Sequence, residues 1–420
     1  METNLFTAFT IPIVLTALFS VFNKKVLKLP GTIGVMLIAL VVSLAMIGLS
    51  KLYPAAIEPV CKAVAALDFP ELLMEVMLSF LIFAGAFHTN TQMLTREGRP
   101  VLLFATLGVL ISTIVVGGLT YLVLPLLGLK ISFIHSLLFG ALISPTDPIA
   151  VLAILKASHI PKSLEADIAG ESLLNDGVAV VVFLTILKIA EQGADQVTAL
   201  DVTELFVKDA IGGGLWGLMI GWAGFQLMKI ADDDKIDVMI TLAVVMGGYW
   251  SAEVLHISGP LAVVLAGLVM SARLEKTDLG TDEEGEEKIA HINIFWENID
   301  EVLNAVLFIL IGAEVINIFQ KVNPGYVAAG MVSILIVLIA RTVSVAIPLP
   351  LTKLRKNAPF KSMAILIWGG LRGGISVALA LSLKDTMSKE LIVTITYIVV
   401  LFSIIVQGLT IGKLVAKVKL

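Results

Sequence analysis

The chain has 420 residues, 58% of them hydrophobic and 15% charged, with a formal net charge of −5 and a mean hydropathy of +0.98. Soluble domains carry about 25% charged residues, so this composition lacks the polar surface that a water-soluble fold of this length needs. Apolar runs of about 20 residues, enough to cross a ~30 Å hydrocarbon layer, recur along it instead. The sequence therefore reads as an all-α polytopic membrane protein, because runs this long exceed barrel strands and helices satisfy their own backbone in lipid. The single cysteine, Cys61, excludes an intramolecular disulfide.

The N-terminus, METNLFTAFTIPIVL, has no basic residue ahead of its first apolar run, so an ordinary first span is expected there rather than a cleaved signal peptide. In chain order the candidate spans fall near 5–22, 30–50, 70–87, 100–127, 132–156, 164–188, 205–229, 235–255, 258–274, 293–317, 326–350, 360–383 and 391–412. That is thirteen, which puts the two chain ends on opposite sides. Nineteen of the 29 Lys and Arg residues fall on one set of loops, among them Lys24, Lys25, Lys28, Arg355, Lys356, Lys413 and Lys417, and eight on the other. The positive-inside rule then places the N-terminus outside and the C-terminus in the cytoplasm, across a cell (inner) membrane. The acidic loop EKTDLGTDEEGEEK (275–288) reads as a solvated cytoplasmic loop.

Two spans are interrupted, the fifth by SPTDP (144–148) and the twelfth by GGLRGG (369–374). If the seventh span is a linker, residues 1–203 and 231–420 form two six-helix repeats joined by 204–230, and each interruption falls in the fifth span of its half. Paired broken helices at matching positions point to a midplane site between inverted repeats. Unwound fifth and twelfth helices are thus expected to cross near the midplane.

In SPTDP, Pro148 denies the Ser144 carbonyl its helical partner and Pro145 does the same to Ala141. Each proline also pushes its predecessor out of helical geometry. Free carbonyls beside the Asp147 carboxylate and the Thr146 hydroxyl offer oxygen ligands that suit a hard cation.

The next span opens with GESLLND (170–176). On a helix Ser172 and Asp176 share a face, and Glu171 and Asn175 the adjacent one. Asp176 has no charged residue after it until Lys188, so it lies deepest. A bare carboxylate at that depth is costly, and a group that holds either a proton or a cation, but not both, is the minimum machinery of exchange. Arg341, inside span 11, needs a counter-charge, and Glu171 is its natural partner; Arg372, among Gly369, Gly370, Gly373 and Gly374, is the second candidate. Glu75, Glu253, Asp300, Glu301 and Glu314 are expected near helix ends, where solvation is cheap.

ESLLNDG, ISPTDPIAV, FWENIDEVLNAVLFILIG, LIARTVSV, WGGLRGGISVALAL and VQGLTI resemble the monovalent cation:proton antiporters of the NhaP type and the eukaryotic sodium/proton exchangers. The resemblance implies a thirteen-span homodimer in which a core domain, mainly spans 3–6 and 10–13, moves against a dimerisation domain. It implies cation binding at Asp176, Asp147, Ser172 and Thr146, with Asn175 holding the geometry and a Glu171–Arg341 bridge. It also implies electroneutral Na+(Li+)/H+ antiport, with Asn175 in place of a second aspartate favouring one proton per cation. Many relatives carry an acid in span 3 within the motif that reads LIFAGAF here, so at that position this chain has Phe83 or Ala84. K+/H+ antiport and a passive cation channel are the alternatives. No cofactor, no nucleic-acid partner and no enzymatic site is expected; the ligands are monovalent cations and protons.

Overall fold

The computed structural model describes residues 5–53, 77–88, 98–147, 162–192, 199–231, 233–274, 283–319, 323–351 and 359–418. Among them the regular elements are all helical. In chain order they are α1 (Leu5–Phe22), α2 (Gly31–Leu52), α3 (Leu78–His88), α4 (98–127), α5 (Phe133–Leu142), α6 (Lys162–Gln192), α7 (Ala199–Ala231) and α8 (Asp234–Val254). They continue with α9 (Gly259–Leu274), α10 (Glu283–Phe319), α11 (Pro324–Ala346), α12a (Pro359–Trp368), α12b (Gly374–Leu381) and α13 (389–418). With α12a and α12b taken as one broken span, thirteen spans are counted among the described residues. Cys61, Glu75, Pro148 and residues 275–282 of the acidic loop lie outside those residues.

The helices pack twice in one pattern. α2 lies along α10, and α9 lies along α3. α1 touches both α2 and α10, as α8 touches both α9 and α3. α5 packs on α6, and α12b on α13. Each pair becomes the other when helices of the first half are advanced by seven and those of the second are moved back by seven. Successive spans alternate in direction, so an odd offset reverses direction, and the two six-helix repeats are inverted. α3 meets α10, α4 meets α11 and α5 meets α12b, each on its own repeat mate, along the pseudo-two-fold axis.

Helix bounds exceed the apolar runs where polar extensions leave the lipid. α10 starts at Glu283 rather than near 293, because its first turns (EEGEEK) are charged and a helix in water needs no apolar face. This extension puts Asp300 in the middle of α10, not near its end as expected, and Glu314 also lies within the helix.

α7 packs tightly on α9 through a feature that hydropathy does not reveal. Gly213, Gly217 and Gly221 recur every fourth residue and form one stripe. A Cβ at Gly217 would lie 2.9 Å from the Ala262 Cα, and one at Gly221 would lie 2.8 Å from the Ala266 Cα. The backbones approach too closely for any side chain. Lys188 of α6 adds a tie to α7, with Nζ 2.9 Å from Asp209 Oδ2.

Gly217→Val should therefore destabilise the purified protein by about 2 kcal/mol or more, the scale of core overpacking. Its thermal unfolding midpoint in detergent should fall by several degrees. The same substitution at Gly118, where a Cβ meets nothing within 4 Å, should leave the midpoint within about a degree of wild type, the usual range of open-surface changes.

Candidate functional site

α5 ends at Leu142 and α12a at Trp368, and the chain is non-helical from there to Asp147 and Gly373 respectively. The α5 break begins where Pro145 cannot donate, and the Ala141 carbonyl accepts from Ser144 N at 3.2 Å instead. In the α12 break Gly369 N still reaches Ile365 O at 2.7 Å, after which Leu371 N turns back to Gly369 O at 2.8 Å.

The two breaks meet. Asp147 N donates to Leu371 O at 2.8 Å, and the two residues form an isolated antiparallel bridge. Arg372, fully buried, sends Nη1 to the Ser144 carbonyl at 2.5 Å and the Pro145 carbonyl at 2.9 Å. Its own N–H goes to Ser403 Oγ at 2.8 Å. Ser403 opens a π-helical turn of α13 (Ser403–Gln407), and Gln407 Nε2 at its end donates to Trp368 O at 3.2 Å. The carbonyls freed by one break are thus held by a guanidinium from the other, and the π turn closes the second break from the side.

Two glycines make room for these side chains. A Cβ at Gly373 would lie 2.7 Å from Asp147 Oδ2, so the carboxylate rests against the backbone that begins α12b. That helix end carries partial positive charge, which favours an anion there. A Cβ at Gly370 would lie 3.0 Å from the Arg341 Cζ, so the Arg341 guanidinium passes where only glycine fits.

α6 faces the α5 break with its ESLLND segment. Ser172 Oγ donates to the Thr146 carbonyl and lies 3.0 Å from Thr146 Oγ1. Asn175 Nδ2 donates to Thr146 Oγ1 at 2.7 Å, while Asn175 Oδ1 accepts from Thr146 N at 3.4 Å. Thr146, Ser172 and Asn175 are all buried. Asp176, one residue on, is only half-buried, as is Asp147. Among the described residues no group donates a hydrogen bond to the Asp176 carboxyl, and its electrostatic neighbour is the like-charged Asp147. Thr146, Ser172 and Asn175 are thus tied to one another, and the Asp176 carboxyl stands beside them outside that set of bonds.

Glu171 points the other way round α6. Arg341 donates to it through both ends of the guanidinium, Nη1 to Oε1 at 2.5 Å and Nη2 to Oε2 at 3.2 Å. Arg341 Nε and Nη2 also reach the Leu366 carbonyl of α12a at 3.2 and 3.0 Å. Both partners are buried, so the pair ties α6, α11 and α12a together beneath the break. Among the described residues Arg372 makes no hydrogen bond to Glu171, and its Nη1 bonds the α5 carbonyls instead. Asp300 of α10 belongs to the same neighbourhood and interacts electrostatically with Asp147. Its position within FWENIDEVLN, four residues before Asn304, was the signal that it faces inward.

Removing one member of a buried ion pair leaves the other uncompensated, at about 3–5 kcal/mol. Glu171→Ala should lower the unfolding midpoint by many degrees, and Glu171→Ala with Arg341→Leu should cost less than the two single changes added together. Additive losses in that double-mutant cycle would mean that the two side chains do not act as a pair.

The chain is similar to known proteins in sequence and in fold. Residues 13–417 match the family described as sodium/hydrogen exchanger, transmembrane. The chain is 46% identical over 413 residues to the Na(+)/H(+) antiporter NhaP of Pseudomonas aeruginosa, covering 97% of this chain and 95% of that protein. It is 34% identical to the Na(+)/H(+) antiporter NhaH of Halobacillus aidingensis, over 94% of each. The structure of the sodium proton antiporter MjNhaP1 of Methanocaldococcus jannaschii at pH 8 has the same fold, with a TM-score of 0.70 over 97% of both chains at 18% identity. The chain belongs to the transmembrane sodium/hydrogen exchanger family, as an NhaP-type member.

Proposed function

We propose that this protein is an electroneutral Na+(Li+)/H+ antiporter of the cell (inner) membrane, a secondary transporter in which a proton and a cation compete for Asp176. The observation that carries the proposal is the unpartnered Asp176 carboxyl beside a fully tied set of oxygen groups. The names of two relatives, Na(+)/H(+) antiporters 46% and 34% identical to the chain, support the choice of ion.

In this reading Asp176 and Asp147 supply carboxylate oxygens, and Thr146 and Ser172 supply hydroxyl oxygens. Asn175 holds Thr146 in place through its two hydrogen bonds. A Na+ ion taken up here is cargo, bound by hard oxygen ligands. The charges at the crossing favour one monovalent ion per cycle. Glu171 and Arg341 cancel, and the single positive charge of Arg372 at the same crossing leaves the two aspartates one net negative charge, enough for one Na+ or one proton. Exchange of one for the other moves no net charge.

The two inverted repeats support alternating access, since exchanging their conformations reverses which side the crossing faces. Residues 1–203 and 231–420 would be the repeats joined by 204–230. Spans 3–6 and 10–13 would form the moving core, and the rest would join two copies in a homodimer. The N-terminus would lie outside and the C-terminus in the cytoplasm.

In proteoliposomes carrying an acid-inside pH gradient and a pH-sensitive dye, Na+ and Li+ should dissipate the gradient. Asp176→Asn should lose at least about 100-fold in rate, and full activity in that variant would refute the mechanism. Lowering the external pH should raise the apparent KM for Na+ by up to about tenfold per pH unit, because each added proton occupies the group that Na+ needs. A gradient dissipated by K+ alone would instead indicate K+/H+ exchange. A rate that depends on membrane potential would remove electroneutrality.

A further inference from the structure

The crossing uses Asp147 and Asp176 but leaves a third inward-facing carboxylate, Asp300, without a role. Trp296, Asp300 and Asn304 follow one another at four-residue intervals on one face of α10. Trp296 and Asn304 are buried, and Asp300 keeps some accessible surface between them. One turn further along the helix, Leu307 lies against Gly374 at the start of α12b. The face that holds Asp300 therefore leads to the crossing.

The carboxylate is aimed. Asn304 Nδ2 donates to Asp300 Oδ1 and to the Asp300 carbonyl, both at 2.9 Å, which orients one carboxylate oxygen and leaves the other available. The group interacts electrostatically with His88 at the end of α3, with Asp147, and with Glu297 of its own helix. His88 pins the end of α3 to α10, with Nε2 3.1 Å from the Asn293 carbonyl. The facing side of α3 is apolar, with Phe83 packed on Trp296 at 4.7 Å between ring centroids and on Phe87 at 5.7 Å. Among the described residues, α3 thus adds no carboxylate at this contact, and the negative charge of the α3–α10 seam comes from α10.

The groups at the crossing already balance for one monovalent ion, so a further fixed charge is surplus to the exchange step. It still lowers the electrostatic energy of a cation approaching Asp147. We propose that Asp300 is a positioning residue for the cation: it holds the entering monovalent ion beside Asp147 before Asp176 takes it, and so sets the apparent Na+ affinity without joining the exchange. This inference rests on the antiport reading above.

Asp300→Asn tests it, because the amide keeps the shape and can still accept from Asn304 while removing the charge. In proteoliposomes its KM for Na+ should rise about tenfold, the scale of one unit charge acting across a partly buried site, with kcat within about twofold of wild type. Asp300→Glu should bring KM back to within about threefold of wild type, and it provides the same reading should the asparagine variant fold poorly. A residue that merely braces α10 would instead lower kcat or the unfolding midpoint and leave KM unchanged. Wild-type KM in Asp300→Asn, or a raised KM that Asp300→Glu does not restore, overturns the inference. Absence of Na+-driven proton flux in the wild type overturns the antiport reading together with it.

Discussion

The grip of Arg372 on the Ser144 and Pro145 carbonyls is the interaction on which the rest of the site depends. Breaking a helix in the middle of a membrane leaves backbone carbonyls without water, and each unsatisfied group there costs several kcal/mol. A buried guanidinium has the reverse problem, with five donors and no solvent. Placing one at the other gives the carbonyls a donor and Nη1 two acceptors, but only where two breaks come together. That meeting in turn requires the inverted packing of the two repeats, which brings α5 against α12b. Site and fold therefore stand or fall together.

The charges divide into those that hold the scaffold and those left free to do chemistry. Glu171 and Arg341 are buried, doubly bonded to each other and fixed to the Leu366 carbonyl. Thr146, Ser172 and Asn175 are tied into one cluster across the α5–α6 contact. Asp176, the residue after Asn175 on the same helix, has no hydrogen-bond donor among the described residues. On the antiport reading proposed above, such a carboxylate binds a small ion with little reordering of the neighbours already tied beside it.

Much of this was legible in the sequence. Lipid requires long apolar runs, so hydropathy located the spans, and proline and glycine marked the two breaks because their backbone chemistry is unambiguous. Helix ends were less legible: the charged turns of Glu283–Lys288 continue α10 in water, where no apolar pattern is needed. That is why Asp300 read as an end residue when it is central. The α7 stripe of Gly213, Gly217 and Gly221 was also missed, since hydropathy does not register how closely two backbones approach. Lateral neighbours were the hardest. Spacing along the chain could not decide whether Glu171 meets Arg341 or Arg372, because both lie far away in sequence and the choice depends on how α11 and α12a pack beside α6.

The central claim is that a proton and a cation exclude each other at Asp176. Titrating Na+ into lightly buffered, detergent-solubilised protein, at a pH where Asp176 is partly protonated, tests this without any transport step. The account predicts release of close to one proton per Na+ bound, with the release lost in Asp176→Asn. Na+ binding that releases no proton, or an undiminished release from Asp176→Asn, would contradict it.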